Sequence, residues 1–183
     1  MYNIISLVSL ILNSKIMLNI EIQHGNLIKV VADAIVNPTN SFGWMGGSSA
    51  SAIKHVEGPE IEEKIKAKAP LEIGTAIATP AGKLPYKAII HSPVVISPTD
   101  MAEAYNVGLA VQGALILADD KGFKIIAMPG MGTGVGSFPI KDAAKVMIAE
   151  IKKFKPINLE KVILIDEKED LALAWKDELD KIK

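Results

Sequence analysis

Between Met128 and Pro139 the chain reads MPGMGTGVGSFP, with glycine at positions 130, 132, 134 and 136. Every second side chain is missing, directly after the apolar run Lys124 to Met128 and directly before a segment opened by Pro139 that reads as a helix ending before Pro156. Glycine at that density weakens a strand or helix interior, so the segment is a loop joining strand to helix. Freed of side chains, its backbone N–H groups have room to approach an anion, and the following helix offers the positive end of its dipole. The same glycines also fit a flexible turn in which they supply only positive φ angles, and this segment alone does not separate the two readings. It is not a P-loop, because no Gly-Lys-Ser/Thr follows. Nor is it the usual dinucleotide fingerprint, which belongs near the first strand.

A second stretch of this kind runs from Asn37 to Ser51 (NPTNSFGWMGGSSAS) and holds Gly43, Gly46 and Gly47. It follows the apolar run Val30 to Val36, read as a buried strand, and precedes a helix from Ser48 to Val56 that Gly58 stops. Pro59 suits the first turn of another helix, to Ala69. Asn37 and Asn40 each donate and accept, as sugar hydroxyls require, although Asn after a strand commonly forms only a turn. Two anion-ready loops on one sheet edge carry more weight than either alone.

The remaining pattern supplies the scaffold. Ile73 to Thr79 and Lys87 to His91 read as neighbouring strands across the turn at 81–85. Thr99-Asp100 with Glu103 reads as the capped start of a long helix to Asp120, closed by Lys121-Gly122. Strand Lys124 to Met128, the helix after Pro139, strand Lys161 to Ile165 and helix Lys168 to Ile182 make the second half a regular alternation. That implies an α/β protein with a largely parallel sheet, helices on both faces, and a ligand site beyond the carboxyl ends of the strands. Asp33 reads as a local hydrogen-bonding residue at the start of its strand.

With 183 residues, 49% of them apolar, and no linker or repeat, one domain over 1–183 is expected. Residues 1–23 form an N-terminal extension and first strand, and 24–183 the core. The apolar start, Met1 to Leu12, lacks a preceding basic residue and a cleavage pattern and falls short of the roughly 20 residues that span a bilayer. It reads as one strand of a hairpin whose second strand is Lys15 to Gln23, with a sheet edge that would suit a homodimer contact. Twenty basic and 21 acidic side chains, interspersed, give a net charge of -1 and no long-range field for nucleic acid or membrane. The absence of cysteine excludes disulfides and thiolate chemistry and fits a reducing, cytoplasmic setting. His24, His55 and His91 have no metal-ligand spacing, so neither a metal nor another cofactor is expected. Low Gln content, no Cys and Lys/Glu/Ile-rich wording are in line with a thermophile.

Taken in order, Gly25-Asn26-Leu27-Ile28, Asp33-Ala34-Ile35-Val36-Asn37-Pro38-Thr39-Asn40, Met45-Gly46-Gly47, Ile89-Ile90-His91, Met128-Pro129, Gly132-Thr133-Gly134-Val135-Gly136 and Phe138-Pro139 resemble the macro domains, over roughly Ile20 to Ile182. Each motif is weak alone, whereas the ordered set is specific. Leu71-Glu72, Ala118-Asp119-Asp120-Lys121 and the Asn-Pro-Thr-Asn wording are similar to the macro domains of macro histone variants. The Gly-Thr-Gly-Val-Gly loop is nearer to stand-alone prokaryotic members.

The resemblance implies a three-layer α/β/α fold with a mixed sheet, and binding of ADP-ribose or an ADP-ribosylated macromolecule. It implies that Asn26, where the family usually has Asp, and the Leu27 N–H meet adenine, with Ile165 and Asp166 beside it. Asn40 would hold the distal ribose. Gly46, Gly47, Ser48 and Ser49 form the first phosphate loop, and Gly132, Thr133, Gly134, Val135 and Gly136 the second. Trp44 is a candidate to replace the aromatic residue that many members carry where this chain has Gly136. The Asp of deacylating members is absent from Gly46-Gly47-Ser48-Ser49-Ala50, which removes that means of activating water. Two other functions stay open. One is slow hydrolysis at the distal ribose, of ADP-ribose 1″-phosphate or of an acyl or ADP-ribosyl ester, with Asn37 and Asn40 positioning the sugar and His55 as general acid or base. The other is poly(A) or RNA binding, for which a neutral chain with 5% aromatic residues is poorly suited.

Overall fold

The computed structural model describes residues 18–182. Its strands are β1 (Asn19–His24), β2 (Ala34–Asn40), β3 (Ile77–Thr79), β4 (Ala88–Val95), β5 (Ile125–Met128) and β6 (Lys161–Asp166). Its helices are α1 (Ser48–Glu57), α2 (Glu60–Lys66), α3 (Ala104–Asp120), α4 (Ile140–Lys153) and α5 (Glu169–Asp180), with a 3₁₀ turn at Leu27–Lys29. The strands form one mixed sheet in the order β1-β6-β5-β2-β4-β3, parallel throughout except that β3 runs antiparallel to β4.

Alternation along the central strands builds a core on each face. Val36, Ile90, Met128 and Leu164 join one apolar cluster with residues of α3, α4 and α5, among them Val107, Met147 and Trp175. Their neighbours Ile35, Ile89, Ala127 and Ile163 join another with Ala50 and Ile53 of α1 and Ile61 and Ile65 of α2. Successive strand residues point to opposite faces, so paired apolar residues require cover on both sides. The result is the three-layer α/β fold. Polar side chains stitch the layers at fixed points. Ser92 Oγ donates to Ala110 O at 2.7 Å, joining β4 to α3. Asp119, in the last turn of α3, accepts from the N–H groups of Ile157, Asn158 and Leu159 just before β6.

Several boundaries differ from the sequence expectation. The strand expected at Val30 to Val36 is Ala34–Asn40, because Asn37 to Thr39 continue in register along β4 instead of turning, and Asn40 pairs with Val95 past an irregularity between Thr39 and Asn40. Pro38 fits there because β5 flanks only Ala34 and Ile35, which leaves the outer half of β2 without a neighbour on that side. Ahead of the strand, Asp33 reaches further than a local contact: its carboxylate accepts from the N–H groups of Lys124 and Ile125 and pairs with Lys87 Nζ at 2.7 Å, tying the starts of β2, β5 and β4 together. The strand expected from Ile73 shrinks to Ile77–Thr79, since Gly74 takes a positive φ of 93° and turns the chain. Helix α3 begins at Ala104, because Asp100 accepts from Ser97 N and closes a separate turn. The hairpin expected over 1–23 lies outside the described residues up to position 17, and from Asn19 its expected second strand is β1, paired with β6.

Candidate functional site

The carboxyl ends of β6, β5, β2 and β4 lie side by side, and the segments leaving them enclose a cleft of about 690 Å³. Loop 1, residues 41–47, joins β2 to α1, and loop 2, residues 129–139, joins β5 to α4. Pro38, Thr39 and Asn40 end β2 at the cleft, Val94 and Val95 end β4 there, and Asp166 with Lys168 closes the β6 end.

The glycines of loop 2 divide into two kinds. Gly132 has a φ of 78°, and a Cβ on it would lie 2.8 Å from that of Ala102. A Cβ on Gly130 would lie 2.4 Å from Leu171, and one on Gly136 would lie 2.9 Å from Ala102 Cβ and 3.0 Å from Gly132 O. Gly132 and Gly136 are demanded by the fold, and a side chain at Gly130 would require Leu171 and Thr133 to shift. Gly134 has no positive φ and open space where a Cβ would sit, and so do Gly46 and Gly47 in loop 1. All three line the cleft.

Loop 1 delivers the start of α1 to the same place. Gly47 is its N-cap, with no side-chain cap and no acidic residue in the first turn, whereas α2 and α5 both open on carboxylates. The unpaired N–H groups of the first turn and the helix dipole thus face the cleft at Ser48 and Ser49.

Asn40 lines the cleft, but much of its amide serves loop 1. Oδ1 accepts from the N–H groups of Phe42 and Trp44, and Nδ2 donates to Trp44 O at 3.0 Å. This leaves one N–H for a ligand. Trp44 stands at the mouth, half exposed, with Lys66 Nζ 4.0 Å from its ring centroid, a cation–π contact that occupies one face of the indole. At the far end Asp166 accepts from Gly130 N and Lys168 N, Thr133 Oγ1 donates to Gly130 O, and Lys168 Nζ donates to Thr133 O. Asp166 and Thr133 therefore shape loop 2 from within the cleft, beside Val135, Gly136 and the open Gly134.

Five residues singled out in the sequence lie off this lining. Asn37 is fully buried, donates through Nδ2 to His91 Nδ1 at 3.0 Å, and leaves Oδ1 without a partner among the described residues. His55 is exposed on α1. Asn26 caps the 3₁₀ turn by accepting from Ile28 N, and its Nδ2 donates to Glu167 Oε1 at 2.7 Å. Leu27 is buried, with its carbonyl accepting from Tyr86 OH, and Ile165 is a core residue.

Lys54, Glu62, Lys66 and Lys168 line the cleft and were not read from sequence as site residues. Glu62 is buried, with Lys54 Nζ on one carboxylate oxygen, Lys66 Nζ at 3.1 Å on the other, and the Met45 N–H at 3.5 Å. Burial alone would raise its pKa. The two ammonium groups and the loop N–H outweigh that and hold it below the ordinary glutamate value. The i to i+4 spacing of Glu62 and Lys66 was visible, but it is the spacing of any solvated helix pair.

The macro domain family model matches residues 36–147, and the chain belongs to that family. An uncharacterized protein of Aquifex aeolicus is 47% identical over 159 residues, spanning 87% of this chain and 96% of its own. Among solved structures, a variant of the Oceanobacillus iheyensis macrodomain with ADPR is 26% identical, with a TM-score of 0.77 over 89% of this chain and 92% of that one. The Trypanosoma brucei macrodomain in complex with ADP-ribose shares the fold at a TM-score of 0.78 and 23% identity, over 90% of this chain and 71% of its own.

Proposed function

We propose that the cleft binds ADP-ribose or a derivative of it, with the diphosphate between the two loops. The observation that carries this is the set Gly46, Gly47 and Gly134. Nothing among the described residues forbids a side chain at any of them, yet all three lack one and line the same cleft. A ligand that must come within hydrogen-bond distance of the backbone N–H groups gives them a common reason. The uncapped start of α1 adds a positive end for the same diphosphate. ADPR in one structure of the Oceanobacillus iheyensis relative, and ADP in another, support an adenosine diphosphate ligand such as ADP-ribose.

The reading is of a binding module. Both carboxylates of the cleft are engaged, Glu62 by two lysines and Asp166 by two backbone N–H groups. A Glu held ionised in this way is a weak base, ill suited to taking a proton from water.

Calorimetric titration with ADP-ribose, with AMP as the control, tests the reading. Micromolar binding is expected for the wild type, together with its loss in Gly134→Glu, because Gly134 lines the cleft and a Cβ there meets nothing within 4 Å. Equal binding by the variant, or none by the wild type, would overturn it.

A further inference from the structure

The three lysines that line the cleft are not equivalent. Lys54 and Lys66 are both paired with the buried Glu62, whereas Lys168 has no carboxylate partner among the described residues. Asp166, the carboxylate that shares its end of the lining, is turned to the backbone: Oδ2 accepts from Gly130 N and Oδ1 from Lys168 N. Glu167 and Asp170 lie off the lining, where Glu167 accepts from Asn26 Nδ2 and Asp170 from Leu171 N. The Lys168 ammonium donates to a neutral group, the carbonyl of Thr133 in loop 2, at 3.1 Å.

That contact decides where the charge stands. The backbone of Lys168 is held by Asp166, and its side chain ends on Thr133, the residue directly before the open Gly134. One N–H of the ammonium is used there and two are left, on a side chain that stays exposed and within reach of a ligand. Backbone N–H groups and the start of α1 carry only partial charges, which answer the full negative charge of a diphosphate incompletely. Lys168 is the cation of the lining that no carboxylate neutralises, and it rests on loop 2.

We propose that Lys168 is a ligand-binding residue of the cleft. Its ammonium takes a nonbridging oxygen of the diphosphate while keeping the Thr133 carbonyl, so one cation joins loop 2, the ligand and the start of α5. A bond from an ammonium to an ionised oxygen is stronger than its neutral counterpart, and the gap beside Gly134 lets the oxygen approach. The proposal rests on the ADP-ribose reading above and adds a charged contact to it.

The test is calorimetry with ADP-ribose at low and high salt on the wild type, Lys168→Met, Lys168→Arg and Lys152→Met. The last removes the same charge from the final turn of α4, off the cleft lining. At low salt Lys168→Met should bind about tenfold more weakly than the wild type, as loss of one charge-assisted contact gives. Its affinity should also change less with salt, because the screened interaction is gone. Lys168→Arg should keep most of the affinity and Lys152→Met all of it. Unchanged affinity in Lys168→Met would overturn the proposal, and so would an equal fall in Lys152→Met. A fall of the same factor at both salt concentrations would overturn it too, by assigning Lys168 to bracing the neutral Thr133 carbonyl. In all three cases the wild type still binds and the ADP-ribose reading stands. No binding by the wild type would overturn that reading and this contact together.

Discussion

Asn37 and His91, on adjacent strands β2 and β4, are joined inside the sheet by a 3.0 Å hydrogen bond from Asn37 Nδ2 to His91 Nδ1. Because an amide nitrogen only donates, Nδ1 is the acceptor and the ring proton is on Nε2, which donates to Thr79 Oγ1 at 2.8 Å. The three residues form a polar line across β2, β4 and β3, and it requires a neutral imidazole.

This fixes a pH dependence. Burial, helped by the nearby charge of Lys68, lowers the His91 pKa from 6.5 to about 3. Above pH 6.5 both the folded and the unfolded chain carry a neutral ring, and there is no penalty. As the pH falls below that value the unfolded chain takes up a proton that the folded chain refuses, so stability declines by about 1.4 kcal/mol per pH unit until about pH 3. Urea unfolding at pH 7 and pH 5 should show a loss of roughly 2 kcal/mol from this group in the wild type. His91→Gln, whose amide can replace both hydrogen bonds, should show a markedly smaller loss. An equal loss in the variant would assign the dependence elsewhere.

Asp119 acts in the same direction, in a lower pH window. Its carboxylate is buried, which alone would raise its pKa, but the N–H groups of Ile157, Leu159 and Asn158 outweigh that and lower it. Its contribution is present above the unfolded value of 3.8 and is lost as the pH falls through the lower folded value. Asp119→Ala strands three backbone donors before β6 and should cost about 2 to 3 kcal/mol at pH 7. Amide exchange should accelerate at Asn158 and Leu159 before it does in β4.

The scaffold was legible where burial leaves only one solution. Ile89-Ile90 and Ile163-Leu164 are apolar on both faces, and such pairs need cover above and below. Asn37 to Asn40 were read as a loop because Asn, Pro and Thr have strong local turn preferences. Their extended course is set by pairing with β4 and by the His91 bond, partners 54 or 55 residues away. The charged end of the cleft was hidden for a related reason. Lys54, Glu62 and Lys66 have the wording of solvated helices, and only the packing of α2 against α1 turns Glu62 inward. In loop 2 the four glycines are alike as letters, and only their surroundings separate Gly134 from Gly130, Gly132 and Gly136.

Asn40 is expected to act largely through Trp44. Replacing it with Ala removes three hydrogen bonds that close residues 40–44 and frees the indole from its position. Acrylamide quenching in a Trp175→Phe background, which leaves Trp44 as the only indole, should rise in ligand-free Asn40→Ala. ADP-ribose affinity should fall about tenfold or more, the equivalent of one or two hydrogen bonds. Lost affinity with unchanged quenching would instead assign Asn40 to direct ligand contact.

The glycines of loop 2 allow fold and function to be separated with one small substitution. Gly136→Ala places a methyl 2.9 Å from Ala102 Cβ and 3.0 Å from Gly132 O, and Ala102 N is itself hydrogen-bonded to Gly136 O, so loop and helix approach must move apart. Overpacking of this kind costs roughly 1 to 3 kcal/mol. Gly134→Ala meets nothing within 4 Å and has no left-handed backbone to strain, so its stability should match or slightly exceed the wild type. Its effect should appear only when a ligand is present, as a methyl group between the backbone N–H and the diphosphate. Thermal unfolding with and without ADP-ribose measures both quantities: Gly136→Ala should lower the midpoint in either condition, while Gly134→Ala should start level and lose the ligand-induced rise. If Gly134→Ala kept that rise in full, the open space at this glycine would not be where the diphosphate lies, and the case built on Gly46, Gly47 and Gly134 would fail.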